Sequence, residues 1–231
     1  MPEGVEPPFP PTWAHRIVVM GYLWLDHEYR LKQLGVMGDP SGGAGTADQR
    51  ERALLESFSA IVGAARPVIV TYNGRSFDLP VIALRSLCHA VPLGWYYRDK
   101  DVRYRYSDLG HLDLCDWLAD HGAVRAGKLD AIARLVGLPG KGGVDGSQVE
   151  GLHQAGQLAM IQQYCLADVA QTALLFLRFR LLQGQLPVER YRERTAALLD
   201  GLAADGRFGE ILDAIDKQRD HLLGPPLAAP A

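Results

Sequence analysis

The chain has 231 residues, 48% of them hydrophobic and 22% charged, which is enough for one well-buried domain and short for two. Its 24 Lys plus Arg against 27 Asp plus Glu give a net charge of −3, which excludes general attraction to polyanions: such a partner must be gripped by local basic patches. Three scattered cysteines, Cys88, Cys115 and Cys165, argue against a disulfide framework or a CxxC metal pair and fit a reducing cytoplasm, and no run approaches the length of a bilayer span.

The N-terminal MPEGVEPPFPPTWAHR is crowded with proline and lacks a basic-then-apolar leader, so residues 1–14 are expected to form a flexible segment. RIVVMGYLWL (16–25) and EYRLKQLGVM (28–37) are β-branched and aromatic around a tight Asp26-His27-Glu28 connection, which predicts an antiparallel pair. A Gly/Ser-rich loop follows. DQRERALLESFSAIVGAA (48–65) places Leu54, Leu55, Phe58, Ile61 and Val62 at helical spacing behind Asp48-x-x-Glu51, the pattern of a capping box. PVIVTYN then reads as a strand covered on both faces, followed by a helix over LPVIALRSLCHA, an α/β arrangement.

Further along, HLDLCDWLAD and KLDAIARLVGL predict short helices, and PGKGGVDG a loop. The Walker spacing is absent there, so Lys141 is at most a substrate contact and a nucleotide-binding α/β protein is disfavoured. Residues 157–182 predict one long helix with Leu158, Ile161, Cys165 and Val169 on an apolar stripe. The tail GPPLAAPA lacks periodicity.

Two carboxylates draw the site together. Asp78, in TYNGRSFDLP, follows the buried strand at the carboxyl edge of a sheet, where α/β proteins bind ligands. Asp168, in YCLAD, shares one side of the late helix with Tyr164, four residues earlier. Gathered acids repel unless a cation or proton joins them, and an all-oxygen set suits Mg²⁺ or Mn²⁺, which points to phosphodiester hydrolysis. Plainer readings stand beside these: Asp78 as a helix N-cap, Tyr164 and Asp168 as a half-buried tyrosine and a solvated acid, Asp113 and Asp116 as an N-cap and an exposed acid, and His111 and His153 as structural or exposed.

The order N-x-x-x-F-D (Asn73, Phe77, Asp78) and then Y-x-x-x-D (Tyr164, Asp168) resembles the second and third motifs of the DnaQ-like, ribonuclease-H-fold 3′–5′ exonucleases. The segments TYNGRSFDLPVIALRSL, YRYSDLGHLDLCDWL, LDAIARLVGLPGKGGVDGSQV and YCLADVAQTALLFLRFRLLQG extend that resemblance, which is to the branch related to the proofreading domain of family B DNA polymerases, over residues 10 to 190. It implies an α/β fold with a ribonuclease H-like mixed sheet flanked by helices. By the same likeness, residues 15–200 are the exonuclease-like domain, and 201–231 a C-terminal helix and disordered tail.

The resemblance further implies a two-metal site in which Asp78 and Asp168 ligate Mg²⁺ or Mn²⁺, Tyr164 orients the attacking water, and Asn73 and Phe77 border a terminal nucleotide. The family's first motif, Asp-x-Glu on an opening strand, has no counterpart in PEGVEPPFPPTWAH. Asp26-His27-Glu28 has the spacing but falls in the turn between two strands. Either that pair fills the place, or the first strand is lacking and the chain is a shortened reading of its gene or an inactive remnant.

WYYRDKDVRYRYSD (95–108) interleaves Arg98, Lys100, Arg103 and Arg105 with Trp95, Tyr96, Tyr97, Tyr104 and Tyr106, a pattern suited to single-stranded nucleic acid and also to an edge hairpin. The expected function is metal-dependent 3′–5′ exonuclease action on single-stranded DNA ends. The alternative is an inactive member of the fold that binds nucleic acid or a protein.

Overall fold

The computed structural model describes residues 9–38, 45–140 and 146–224. Strands β1 (Met20–Leu25) and β2 (Leu31–Met37) pair antiparallel, from Met20 opposite Met37 to Leu25 opposite Leu31, with an irregularity between Trp24 and Leu25. Asp26 closes the turn between them: its Oδ1 accepts the backbone N–H groups of Glu28 and Arg30, both at 2.9 Å. This is the antiparallel pair that the residue pattern predicts.

Helix α1 (Ala47–Ala65) starts on a capping box, but not on the expected Asp48–Glu51 pair. Thr46 and Gln49 form it instead: the Gln49 N–H donates to Thr46 Oγ1 at 3.2 Å, and the Thr46 N–H donates to Gln49 Oε1 at 2.8 Å. Glu51 is thereby released for a different task. Only 2% exposed, it accepts from Arg85 Nε and Nη2 at 2.7 and 2.6 Å, pairs with His89 Nε2 at 2.9 Å, and accepts the Ile17 N–H at 2.8 Å. One carboxylate thus joins α1, the approach to β1, and the far end of α2 (Asp78–Cys88).

Strand β3 (Ile69–Thr71) lies parallel to β4 (His111–Asp113), with Ile69 opposite His111 and Thr71 opposite Asp113. The expectation of a helix beginning at His111 is corrected here. Residues 111–113 are held extended by the ladder, and Asp113 caps the helix that follows, so α5 covers only Leu114–Leu118. The aromatic-basic segment is no hairpin: it folds as α3 (Gly94–Arg98) and α4 (Lys100–Arg103), the second capped by Asp99. Helices α6 (Leu129–Leu135) and α7 (Val149–Gln154) follow; Lys141 lies outside the described residues.

Helix α8 (Leu158–Leu182) packs against β1, β2 and β3, and so supports both two-stranded sheets. It approaches β1 so closely at Gly21 that a Cβ there would lie 2.9 Å from Cys165 Sγ, and the Gly21 N–H donates to that sulfur at 3.0 Å. On the predicted stripe Ile161 is buried and Cys165 and Val169 are half-buried, while Leu166, Ala170, Leu174 and Leu177 go deepest. Helices α9 (Val188–Asp205), α10 (Gly209–Asp216) and α11 (Arg219–Leu223) close the same core through Leu198, Leu202, Phe208, Ile215 and Leu222. The expected boundary at residue 200 therefore falls inside α9. At the other end the 3₁₀ turn Thr12–Ala14, within the segment expected to be flexible, lies against α2. Among the described residues no helix is long and apolar enough to cross a membrane.

Burial pushes the Glu51 carboxyl up, but the hydrogen bonds from Arg85, the Ile17 amide and His89 outweigh it and hold the group below the usual glutamate range. A depressed folded-state value contributes stability above the ordinary glutamate range that is lost as pH falls through it. Glu51→Gln strands the Arg85 charge and should cost about 3 kcal/mol at pH 7. In urea melts the gap to wild type should begin to narrow as pH falls below the usual glutamate range and close only below the lowered folded-state value, where wild-type Glu51 also loses its charge; a gap independent of pH would contradict this account.

Candidate active site

The chain reverses sharply after β3. Asn73 adopts φ 66°, a left-handed conformation that asparagine tolerates, and Gly74 has no room for a side chain, since a Cβ there would sit 2.5 Å from Thr71 Cβ. The Asn73 carbonyl accepts the N–H groups of Ser76 and Phe77, and the Gly74 carbonyl accepts that of Leu79 at 2.8 Å, which launches α2. Asp78 is the first residue of this helix and not its cap; Phe77 occupies the cap position without a side-chain bond. The reading of Asp78 as a helix N-cap therefore does not hold.

Asp78 is exposed to solvent, although protein atoms crowd its surroundings. That crowding raises its carboxyl to about 6 despite a bond from its own backbone amide, and the charges of Asp113 and Asp168 add to the rise. Asp168 comes from α8, one turn beyond half-buried Tyr164. Between them, the Cys165 thiol is pushed up to about 11 by burial and by the charges of Asp168 and Asp78, against the Gly21 hydrogen bond. The structure thus brings Asp78 and Asp168 within electrostatic reach of each other from distant parts of the chain.

Asp113, 1% exposed at the end of β4, accepts four backbone N–H groups: Asn73 at 2.8 Å, Arg75 at 2.7 Å, Cys115 at 3.0 Å and Asp116 at 3.4 Å. Asp116 faces two guanidinium groups and an imidazole: Arg105 pairs with it through Nε at 3.2 Å and through Nη2, Arg75 Nε lies 3.6 Å away and His121 Nδ1 3.5 Å away. Arg75 was not singled out from sequence. It also donates to the carbonyl of Arg103 at 3.0 Å and so links the motif turn to the aromatic segment. The available signal was its place between Asn73 and Asp78.

Arg103 lies over the rings of Tyr96 and Tyr97 at 5.8 and 5.2 Å. Tyr97, Tyr104 and Tyr106 are each more than half exposed, and Tyr106 stands 4.5 Å from the ring of His121. Phe77 is not bare: the rings of Phe9 and His15 stand 5.7 and 5.0 Å from it.

His111 and His153 take the structural and exposed places expected of them, and Asp26 and Glu28 are engaged elsewhere. Asp26 is held by its turn, and Glu28 pairs with Arg190 at 2.7 Å and lies 3.7 Å from Arg194, so that pair is tied to α9. His111 is buried, bonds Thr71 Oγ1 at 2.8 Å and is kept neutral, its value lowered to about 3 by burial and the Arg75 charge. His153 is exposed on α7.

Among the described residues, the His/Cys/Asp/Glu group close enough to share an ion is Asp48, Glu51 and His89. There Arg85 already grips both Glu51 oxygens, so a cation would have to displace a guanidinium. Asp78 and Asp168 could hold a hard divalent cation, since both offer oxygen donors and positive charge would relieve their repulsion.

Over 134 residues the chain is 26% identical to the catalytic polypeptide of DNA polymerase epsilon from Schizosaccharomyces pombe, a stretch covering 56% of this chain and 6% of that protein. No solved structure matches it. A family profile described as a predicted 3′–5′ exonuclease related to the exonuclease domain of PolB matches residues 7–215. With that match spanning most of its length, and with its mixed α/β fold consistent with a ribonuclease H-like exonuclease domain, the chain belongs to this family of predicted PolB-related 3′–5′ exonucleases.

Proposed function

We propose that the protein is a metal-dependent 3′–5′ exonuclease that removes nucleotides from single-stranded DNA ends. The observation that carries this reading is the family match over residues 7–215, together with the placement of Asp78 at the start of α2 and Asp168 on α8 within reach of each other's charge. In this reading Asp78 and Asp168 hold Mg²⁺ or Mn²⁺. When bound, such ions supply an activated water and stabilise the departing 3′ oxygen.

The remaining roles fall to the chain's own groups. Tyr164, one turn before Asp168, orients the attacking water through its hydroxyl without ionising. Asn73 borders the terminal sugar. Phe77 meets the terminal base as one of three clustered rings with Phe9 and His15. Arg103 and Arg105 contact phosphates upstream, with exposed Tyr97, Tyr104 and Tyr106 as stacking faces; Arg105 must then exchange Asp116 for phosphate. Three free thiols fit a reducing, cytoplasmic setting.

A second reading is favoured by one observation: among the described residues, Asp26 and Glu28 are committed to the turn and to α9 and do not complete the acidic set. The protein would then be an inactive member that binds nucleic acid. Incubation of wild type with 3′-labelled single strands and Mn²⁺ separates the two, since binding without release of nucleotides selects the second.

Asp78→Asn and Asp168→Asn should abolish hydrolysis and shrink the rise in melting temperature that Mn²⁺ gives wild type. Tyr164→Phe should keep the Mn²⁺ shift and slow hydrolysis roughly a hundredfold. Equal Mn²⁺ shifts in all variants would remove the metal roles.

The raised Asp78 value makes a separate prediction for the metal-free protein. The folded state holds its proton to about pH 6 and the unfolded state only to the ordinary aspartate range, so stability declines as pH rises from about 4 to 6. Asp78→Asn should melt higher than wild type above pH 6 and alike below pH 4, and Mn²⁺ affinity of wild type should fall as pH drops below 6. For the aromatic-basic segment, Arg103→Ala with Arg105→Ala should weaken single-strand binding and reduce the slope of log affinity against log salt by about 1 to 2; an unchanged slope would place those cations away from phosphate.

A further inference from the structure

The position of Asp78 is set by the turn that precedes it. The carbonyl groups of Asn73 and Gly74 hold the start of α2, while the N–H groups of Asn73 and Arg75 run to the two oxygens of Asp113, forty and thirty-eight residues later in the chain. Bonds from N–H to an ionised carboxylate are about twice as strong as neutral ones, and a carboxylate has about four acceptor sites. With Cys115 and Asp116 also donating, three backbone bonds fall on Oδ1 and one on Oδ2, so most of the acceptor capacity of Asp113 goes to backbone. That leaves it poorly placed as a metal ligand.

A role as N-cap of α5 accounts for the bonds from Cys115 and Asp116. It does not account for the two long-range bonds, which are the shorter ones. Asp113 also stands at the end of β4, which pairs with β3, so the ladder and the carboxylate together fix the same turn from both sides.

We propose that Asp113 is a positioning residue of the active site: by holding the 73–75 turn it sets where Asp78 stands relative to Asp168, and thereby the affinity of the site for a divalent cation. The proposal rests on the exonuclease reading. Asp113→Asn keeps the shape but sets an amide donor against a backbone N–H.

The test is a Mn²⁺ titration followed by electron paramagnetic resonance, on the full chain well below its melting temperature, with kcat and KM on single-stranded DNA alongside. Asp113→Asn should weaken Mn²⁺ binding about 10- to 100-fold, the range seen when groups supporting metal ligands are removed. It should lower kcat with little change in KM. Added to Asp78→Asn it should cost little more Mn²⁺ affinity, because it acts through that residue. Wild-type Mn²⁺ affinity in a folded Asp113→Asn, or losses that simply add, would overturn the proposal.

If Asp113→Asn does not fold, amide hydrogen exchange of wild type decides: the Asn73 and Arg75 amides should exchange far more slowly than open-loop amides, and more slowly still on adding Mn²⁺. Exchange at loop rates, or no response to Mn²⁺, would overturn it. A wild type that neither binds Mn²⁺ nor cuts DNA overturns the exonuclease reading together with this proposal, whereas an active wild type with an unaffected Asp113→Asn removes only the positioning role.

Discussion

Like charges brought together repel, and the fold has to bear that repulsion at exposed Asp78 and half-buried Asp168. They reach one region from the start of α2 and the middle of α8. The charges of Asp113 and Asp168 both push the Asp78 carboxyl upward. Cooperative packing elsewhere must offset that repulsion, and the means are specific: the Asn73 left-handed turn, the parallel β3–β4 ladder, and the neutral His111 bonded across that ladder to Thr71. A charged histidine at that depth would add a second uncompensated ion; a neutral one bonded to a hydroxyl does not.

Helix α8 is the shared support. One helix serves two separate sheets, so the strand pairs need no direct hydrogen bonding to each other to hold their relative places. The deep residues of α8 meet α9 and the C-terminal helices, while Cys165 faces β1. The Glu51 node does comparable work at the opposite end of α2, clasping the helix whose first residue is Asp78. Between the Glu51 clasp and the 73–75 turn, α2 is held at both ends.

Most of this architecture was legible because it rests on periodicity. The β1–β2 pair, α1, α2 and α8 follow from alternation or helical spacing, and the two exonuclease motifs were recognisable as ordered residues. What was missed depends on partners distant in sequence. His111–Asp113 reads as the start of a helix until β3 is there to pair with it. Asp48–Glu51 has the spacing of a capping box, yet Thr46 and Gln49 take that role because Glu51 is claimed by Arg85, thirty-four residues on. The aromatic-basic stretch becomes two short helices because Asp99 caps the second, a local choice that composition alone does not distinguish from an edge hairpin. Arg75 escaped notice for a similar reason: its significance lies in reaching Asp116 and the Arg103 carbonyl.

The contact between Gly21 and Cys165 limits what this chain can carry at either position. Cys165 and Asp168 lie three residues apart on one helix, so the thickness of the seam between β1 and α8 governs how deeply the carboxylate is seated. A glycine facing a sulfur atom makes that seam as thin as two packed elements allow. Bulk added on either side would act as a shim, lifting Asp168 away from Asp78 without touching either acid. A substitution on β1 would thereby act on the distance between two charges carried by other elements.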